Sequence, residues 1–117
     1  MKHLKKGRKI HRERDQRKAL IKSLATNLIL KEKISTTSAK AKETQKKIER
    51  LVTIAKKQNL SAFRKLKEEL PLKAAKKLYY QIAPMYLERK GGYTRIIKTS
   101  ERKIKDASPL VILEFVK

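Results

Sequence analysis

Apolar side chains in this sequence follow two periods, and the change from one to the other constrains the fold most. Between residues 20 and 82 they recur at steps of three and four, which is the spacing along one face of an α-helix. After the glycine pair Gly91-Gly92 they alternate with polar residues, as in a β-strand with one buried face. A long helical part followed by a short extended part is typical of an α+β protein.

Local signals divide the helical part into four helices. The first is predicted to begin at Asp15, which can cap it, and the second at Ser38. The second helix is expected to end near Asn59, and a short helix around Phe63 follows it. The fourth is predicted to stop at Pro84, because proline has no N–H to donate within a helix.

Three short segments are predicted to be strands. Residues 33 to 37 are rich in β-branched side chains and lie between the first two helices. Residues 93 to 99 and 109 to 116 are expected to pair antiparallel, and the first strand to join them. The predicted order is therefore α-β-α-α-α-β-β, a two-layer α+β sandwich in which a small mixed sheet packs against helices.

Positive charge dominates the N-terminal segment. The first 18 residues hold nine Lys and Arg against two acidic residues, a density that repels itself and is expected to order only against an anion. A chain of 117 residues has no room for a second core. We therefore predict two parts, a basic arm over residues 1–14 that binds an anion and a single α+β domain over residues 15–117.

The whole chain is also strongly basic. It has 33 Lys and Arg against 11 Asp and Glu, a formal net charge of +22, which is far more than solubility requires of a small domain. Because each neutralised phosphate releases counterions, such a chain gains affinity for any nucleic acid. The sequence has no cysteine for disulfides or thiolate metal sites, and no apolar run approaches the roughly 18 residues needed to span a membrane. We expect a nucleic acid partner and no membrane.

Candidate catalytic groups are too few for an enzyme. The two histidines, His3 and His11, both lie in the arm, without the cysteine or carboxylate pair that a zinc site or a catalytic triad requires. The three glycines have no spacing that forms a phosphate loop or a dinucleotide fingerprint. We predict no catalysis, no cofactor and no small-molecule substrate, and expect the histidines to donate to phosphate or to stack on a base.

RNA is favoured over DNA as the partner. Helix-turn-helix, zinc-finger and zipper patterns are missing from the sequence, and basic residues occur in the arm, on helices and beside a strand together. Such a distribution suits an irregular folded RNA, and Tyr93, which follows two glycines, is the best candidate for base stacking. For the lysines of residues 40 to 77 a solvated face is an equally good interpretation. A DNA-compacting protein and a nuclease or RNA-modifying enzyme remain alternatives.

Three segments carry a family likeness. They are Met1-Lys2-His3 with Lys5, Gly7, Arg8 and Arg17-Lys18-Ala19-Leu20; Thr36-Thr37 with Lys40-Ala41-Lys42-Glu43 and Thr53-Ile54-Ala55-Lys56; and Gly91-Gly92-Tyr93-Thr94-Arg95-Ile96. Together they resemble the bacterial large-subunit ribosomal protein family seventeen over nearly the whole chain. The chain departs from the family pattern at Gln16, where histidine is frequent, and in the loop of residues 100 to 108, which lacks a glycine before its aspartate.

The resemblance implies a structural constituent of the large ribosomal subunit without catalytic activity. It implies binding to large-subunit ribosomal RNA near the peptide exit region, beside neighbouring large-subunit ribosomal proteins, in the cytoplasm of a bacterium or in an organelle. No homo-oligomer is expected. The RNA contacts carried over by position are Lys2, His3, Lys5, Lys6, Arg8, Lys9, His11, Arg12, Arg14, Arg17, Lys18, Thr36, Thr37, Lys40, Lys42, Gly91, Gly92, Tyr93 and Arg95.

Deletion of residues 1 to 14 tests the division into arm and domain. We expect the truncated protein to keep its helices, because no apolar stripe lies in that segment, and to lose much of its RNA affinity because many phosphate contacts are removed. Circular dichroism during thermal melting and RNA titration measure the two effects. Loss of the cooperative melt would show that the arm belongs to the core.

Overall fold

The computed structural model describes residues 13–102 and 108–117, and its elements follow the predicted order. The helices and strands are α1 (Arg14–Lys31), β1 (Lys33–Thr37), α2 (Ser38–Ala55), α3 (Leu60–Glu69), α4 (Leu72–Lys77), β2 (Thr94–Arg102) and β3 (Pro109–Phe115). After α4 the backbone stays helical through a π-helical turn (Leu78–Ile82) and a 3-10 turn (Ala83–Tyr86). The α+β class and the element order are confirmed.

The sheet is antiparallel throughout, which corrects the expectation of a mixed sheet. Its strand order is β1-β3-β2, and β3 runs antiparallel to both neighbours. Ile34 and Ile96 both pair with Leu113 on the central strand. Because β3 separates β1 from β2, the two strands that run in the same direction share no hydrogen bonds.

The core lies between the sheet and the helices. Along β3 the side chains of Val111, Leu113 and Phe115 are buried, while those between them are only half-buried. α2 contacts all three strands, and α1 packs against α2 and β1. The large side chains that are fully buried are Leu28, Ile29, Ile48, Leu51, Val52, Leu66, Leu78 and Leu113. Burial of one such aliphatic side chain contributes about 1.5–3 kcal/mol, so this layer is the main source of stability.

Two helix ends differ from those predicted. α1 begins one residue earlier, with Glu13 as its N-cap and Asp15 within the first turn. α2 ends at Ala55, because the chain turns through Gln58, whose φ of 52° lies in the left-handed region. Asn59 then caps α3 by accepting a hydrogen bond from the Ala62 N–H at 2.7 Å.

Pro84 does not end the fourth helical segment, which corrects the prediction made from it. Before the proline, the helix widens to the π form, in which the Ala83 N–H donates to the Leu78 carbonyl five residues back. Pro84 then lies in the first turn of the 3-10 segment, where its missing N–H has no intrahelical partner to lose. Within the described part of the chain, no helix is long and apolar enough to cross a membrane.

Candidate nucleic-acid interface

The predicted RNA contacts in the arm lie largely outside the described residues. These are Lys2, His3, Lys5, Lys6, Arg8, Lys9, His11 and Arg12. Arg14, Arg17 and Lys18 are described, and all three lie in the first two turns of α1. These three residues of the predicted basic segment therefore belong to the first helix.

Arg17 and Lys18 lie on the wall of a basic groove between α1, α2 and α3. The groove has a volume of about 590 Å³ and is lined by Arg17, Lys18, Ile21, Lys22, Glu43, Lys46, Lys47, Arg50, Glu68 and Glu69. Six of these side chains are cationic and three are acidic. Among the described residues, no carboxylate forms an ion pair with Arg17, Lys18 or Lys22. A surplus of positive charge therefore remains available on the α1 side of the groove.

Glu69 fixes the cations on the opposite wall. One of its carboxylate oxygens, Oε1, accepts a hydrogen bond from Arg50 Nη2 at 2.7 Å and lies 3.4 Å from Lys47 Nζ. The Glu69 side chain is about one fifth exposed, whereas that of Arg50 is half exposed. The ion pairs thus hold two long side chains at the rim while their remaining N–H donors stay accessible.

The pKa of Glu69 reflects this arrangement. Partial burial on its own raises the pKa of the carboxyl group, because it penalises the charged form. The hydrogen bond from Arg50 and the charges of Lys47 and Arg50 outweigh burial, and the pKa lies below its ordinary value. Glu69 therefore stays ionised at neutral pH and holds its partners in place.

Predicted contacts on β1 and α2 differ in accessibility. Thr36 is 9% exposed, and its partner across the sheet is the buried Val111, so its side chain faces the helices. Thr37 is half-buried on the outer face of the sheet, close to the start of α2. Lys42 is exposed and Lys40 is half-buried. Of the two threonines, Thr37 is therefore the better placed to meet a phosphate.

The segment of residues 91–94 is held by Glu49 on α2 and by Arg89. Glu49 accepts hydrogen bonds from the backbone N–H of Tyr93 at 3.2 Å, and from the N–H and the hydroxyl of Thr94 at 2.9 and 2.8 Å. On the other side, Arg89 Nε donates to the carbonyls of Gly91 and Gly92 at 3.1 Å each. Gly92 has a φ of 63°, a left-handed conformation that a glycine adopts without a steric penalty. The glycine pair therefore forms a fixed turn immediately before β2.

Tyr93 does not offer its ring for base stacking, and that prediction is wrong. The side chain is 2% exposed and packs against Tyr86 with ring centroids 5.3 Å apart. Lys56 Nζ lies 4.8 Å from the Tyr93 ring centroid and donates to the Tyr93 hydroxyl at 2.8 Å. The same ammonium group also donates to the Arg89 carbonyl. Tyr93 precedes β2, and the turn before the strand buries its ring beside Tyr86, where Lys56 satisfies its hydroxyl.

Arg95 lies on the outer face of the sheet and is oriented by Glu114. Its Nε and Nη2 atoms both donate to Glu114 Oε2, at 3.0 and 2.7 Å. The two residues are cross-strand partners in the sheet. The guanidinium keeps three further N–H donors, and the side chain is 56% exposed. Arg95 is thus positioned for an external anion but separated from the basic groove by the sheet.

Lys22 and Arg50 were missed at the level of sequence, whereas Lys46 and Lys47 were left open between a solvated face and a nucleic-acid contact. Their spacing carried part of the signal, since Lys18 and Lys22 are four residues apart, as are Lys46 and Arg50. Which helix faces would meet was not visible, because that depends on how α1 and α2 pack. The described residues contain no group of His, Cys, Asp or Glu arranged to hold a metal ion.

Replacement of Glu69 by glutamine tests the groove wall. Because the folded pKa is lowered, the contribution of the carboxylate is complete above the ordinary value of 4.5 and is lost as pH falls through the lowered value. We expect Glu69→Gln to reduce the free energy of unfolding by about 1 kcal/mol or less at neutral pH, and the difference to vanish in acid. Urea denaturation of both proteins at several pH values measures it.

The matched control for that series is Glu88→Gln. Glu88 is exposed and forms no ion pair within the described residues, so its replacement is expected to change the stability little at any pH. A Glu69→Gln effect that stays constant or grows toward acid pH would contradict the assigned role of the ion pairs.

Comparison with known proteins places these features in a family. The family model of ribosomal protein L17 matches residues 20–116. The large ribosomal subunit protein bL17 of Phytoplasma mali is 48% identical over 115 residues, which cover 92% of this chain and 97% of that protein. The bL17 protein of Sulfurihydrogenibium sp. is 44% identical over 117 residues, covering 99% and 97%. That of Thermus thermophilus is 41% identical, covering 99% of each chain.

These matches confirm the resemblance drawn from the three sequence segments. They extend over α1, the sheet and the intervening helices, and so include the groove, Glu49 and the glycine turn. The relatives are ribosomal proteins rather than enzymes, which confirms the prediction that the chain has no catalytic function. The chain belongs to the ribosomal protein L17 family.

Proposed function

We propose that this protein is a structural constituent of the large ribosomal subunit that binds large-subunit ribosomal RNA through phosphate contacts. The observation that carries the proposal is the basic groove, in which six cationic side chains from two helices converge. Phosphate oxygens are the natural partners of such a surface, because every neutralised phosphate releases condensed counterions. The family supports the ribosome as the site of action.

The distribution of acidic residues supports the same function. Most described carboxylates form hydrogen bonds or ion pairs within the protein. For example, Glu49 binds the start of β2, Glu69 binds Arg50, and Glu114 binds Arg95. They fix backbone segments or basic side chains rather than forming an acidic surface. The excess positive charge, +22 for the whole chain, therefore lies mainly at the protein surface.

The glycine turn offers a second contact for the RNA backbone. Within the described residues, the N–H groups of Gly91 and Gly92 have no hydrogen-bond acceptor, and Arg89 holds the carbonyls of both residues. Arg95 follows on β2 with three unused donors. Backbone N–H groups and arginine forks are frequent phosphate ligands, and they fix the register of a protein on RNA without reading sequence.

The finer parts of the proposal rest on the family resemblance. The arm of residues 1–14 threads between RNA segments while the α+β body holds their backbones, which reduces phosphate repulsion so that distant helices pack. The site lies near the peptide exit region, beside neighbouring large-subunit proteins, in the cytoplasm. The protein acts there as a single copy.

Competition between nucleic acids tests the proposed function. The full-length protein is bound to large-subunit ribosomal RNA, and duplex DNA is added at equal phosphate. We expect DNA to displace little of the protein, because the basic groups lie on several faces that a folded RNA can follow and a straight duplex cannot. Displacement by DNA as efficient as by the RNA itself would favour a DNA-compacting function instead.

Two variants on the same helix define the contribution of the groove. Lys22→Gln removes a groove charge, and Lys31→Gln removes an exposed charge at the other end of α1. We expect Lys22→Gln to lower the slope of log affinity against log salt by up to about 1, and Lys31→Gln to change it less. Equal slopes for the two variants would show that the groove is not part of the RNA interface.

A further inference from the structure

We propose that Tyr80 is a stacking site for an unpaired base of RNA, flanked by Lys73 and Lys76. The inference rests on the proposed function, since it takes RNA as the partner, and it assigns one position on the surface to a base rather than to a phosphate. It also replaces Tyr93, whose ring is in the core, as the aromatic contact.

Tyr80 is the most exposed aromatic side chain of the protein. It is 62% exposed, whereas Tyr86 and Tyr93 are buried and Tyr79 and Phe63 are partly buried against the core. Its position lies on the π-helical turn Leu78–Ile82, and such turns occur often at functional sites. An aromatic ring open to solvent on a basic protein is a ready surface for a base.

Neighbouring rings support Tyr80 from the protein side. Its centroid lies 4.8 Å from that of Tyr79, in an edge-to-face arrangement, and 5.9 Å from that of Phe63. Gln58 Nε2 donates to the Tyr79 carbonyl at 2.9 Å, which ties this turn to the end of α2. The ring is therefore held in place before a ligand arrives, so that stacking costs little side-chain entropy.

The cleft beside Tyr80 has the charge that an RNA strand requires. It has a volume of about 280 Å³ and is lined by Leu30, Lys73, Lys76, Lys77, Tyr80 and Gln81. Lys77 is used internally, since its Nζ donates to the Leu30 carbonyl at 2.8 Å and lies 3.4 Å from Glu32. Lys73 and Lys76 are exposed, and no carboxylate of the described residues pairs with either.

This combination favours RNA over a protein partner. Two exposed ammonium groups beside an aromatic ring match a base with its flanking phosphates, and the Gln81 amide offers both a donor and an acceptor to a base edge. A protein docking surface would instead be expected to have few lysines at its centre. The site is thus distinct from the groove and the glycine turn, which offer only phosphate contacts.

Oligoadenylate and an abasic oligomer of the same length, with the same number of phosphates, separate stacking from charge. We expect the full-length wild-type protein to bind oligoadenylate more tightly. Tyr80→Leu is expected to weaken binding to oligoadenylate by about fivefold or more and to leave binding to the abasic oligomer unchanged. Tyr80→Phe, which keeps the ring, is expected to behave as the wild type.

Lys76→Gln is the matched control for charge. It is expected to weaken binding to both oligomers alike and to lower the salt dependence, which Tyr80→Leu leaves unchanged. Equal affinity of the wild type for the two oligomers would overturn the proposal without any variant. So would a Tyr80→Leu protein that binds oligoadenylate as the wild type does, or that loses affinity for both oligomers equally.

These outcomes are independent of the proposed function. If the protein prefers ribosomal RNA over duplex DNA but Tyr80→Leu does not change the affinity for oligoadenylate, the stacking site is wrong and the ribosomal function stands. A Tyr80 effect on oligoadenylate without preference for ribosomal RNA would keep the stacking site and remove that function. If Tyr80 binds another protein instead, Tyr80→Leu leaves both oligomer affinities unchanged.

Discussion

The carboxylate of Glu49 joins the two layers of this protein, and the arrangement of the sheet depends on it. It extends from α2 and accepts three hydrogen bonds from Tyr93 and Thr94, where β2 begins. Charge-assisted bonds of this kind are stronger than neutral ones, and two of the three fix backbone N–H groups. Thr94 pairs with Phe115, so the position of β2 on α2 also sets the register of the central strand. From this anchor follow the burial of Tyr93 and the placement of the glycine turn at the surface.

The positions of the few acidic residues also explain how a small, very basic chain folds. A charge of +22 destabilises a compact state through self-repulsion, and a core of aliphatic side chains has to offset it. Glu69 pairs with Lys47 and Arg50, and Glu114 pairs with Arg95, so each carboxylate relieves repulsion locally and orients an arginine. In the proposed function, phosphate contacts relieve the remaining repulsion. Stability of the isolated protein and affinity for RNA are thus opposite consequences of one charge distribution.

Local patterns predicted much of the fold, because the elements here are defined by local chemistry. The helical period of α2 and the β-branched run of β1 matched the structure within a few residues. The prediction from Pro84 was wrong, because the π-helical turn before it accommodates a residue that lacks the N–H an α-helix needs. Tyr93 misled because the two glycines before it indicated exposure, whereas Glu49 and Lys56, distant in sequence, draw it inward. The groove was not predictable from one helix at a time, since its walls belong to α1, α2 and α3.

The central claim is that the positive surface of the folded body binds large-subunit ribosomal RNA. The most direct measurement is the sedimentation of the tagged full-length protein in a cell lysate, on gradients run at low and moderate salt. The account predicts that the protein sediments with large ribosomal subunits at both concentrations, because many phosphate contacts act together. Recovery of the protein at the top of the gradient, or with chromosomal DNA, would contradict it.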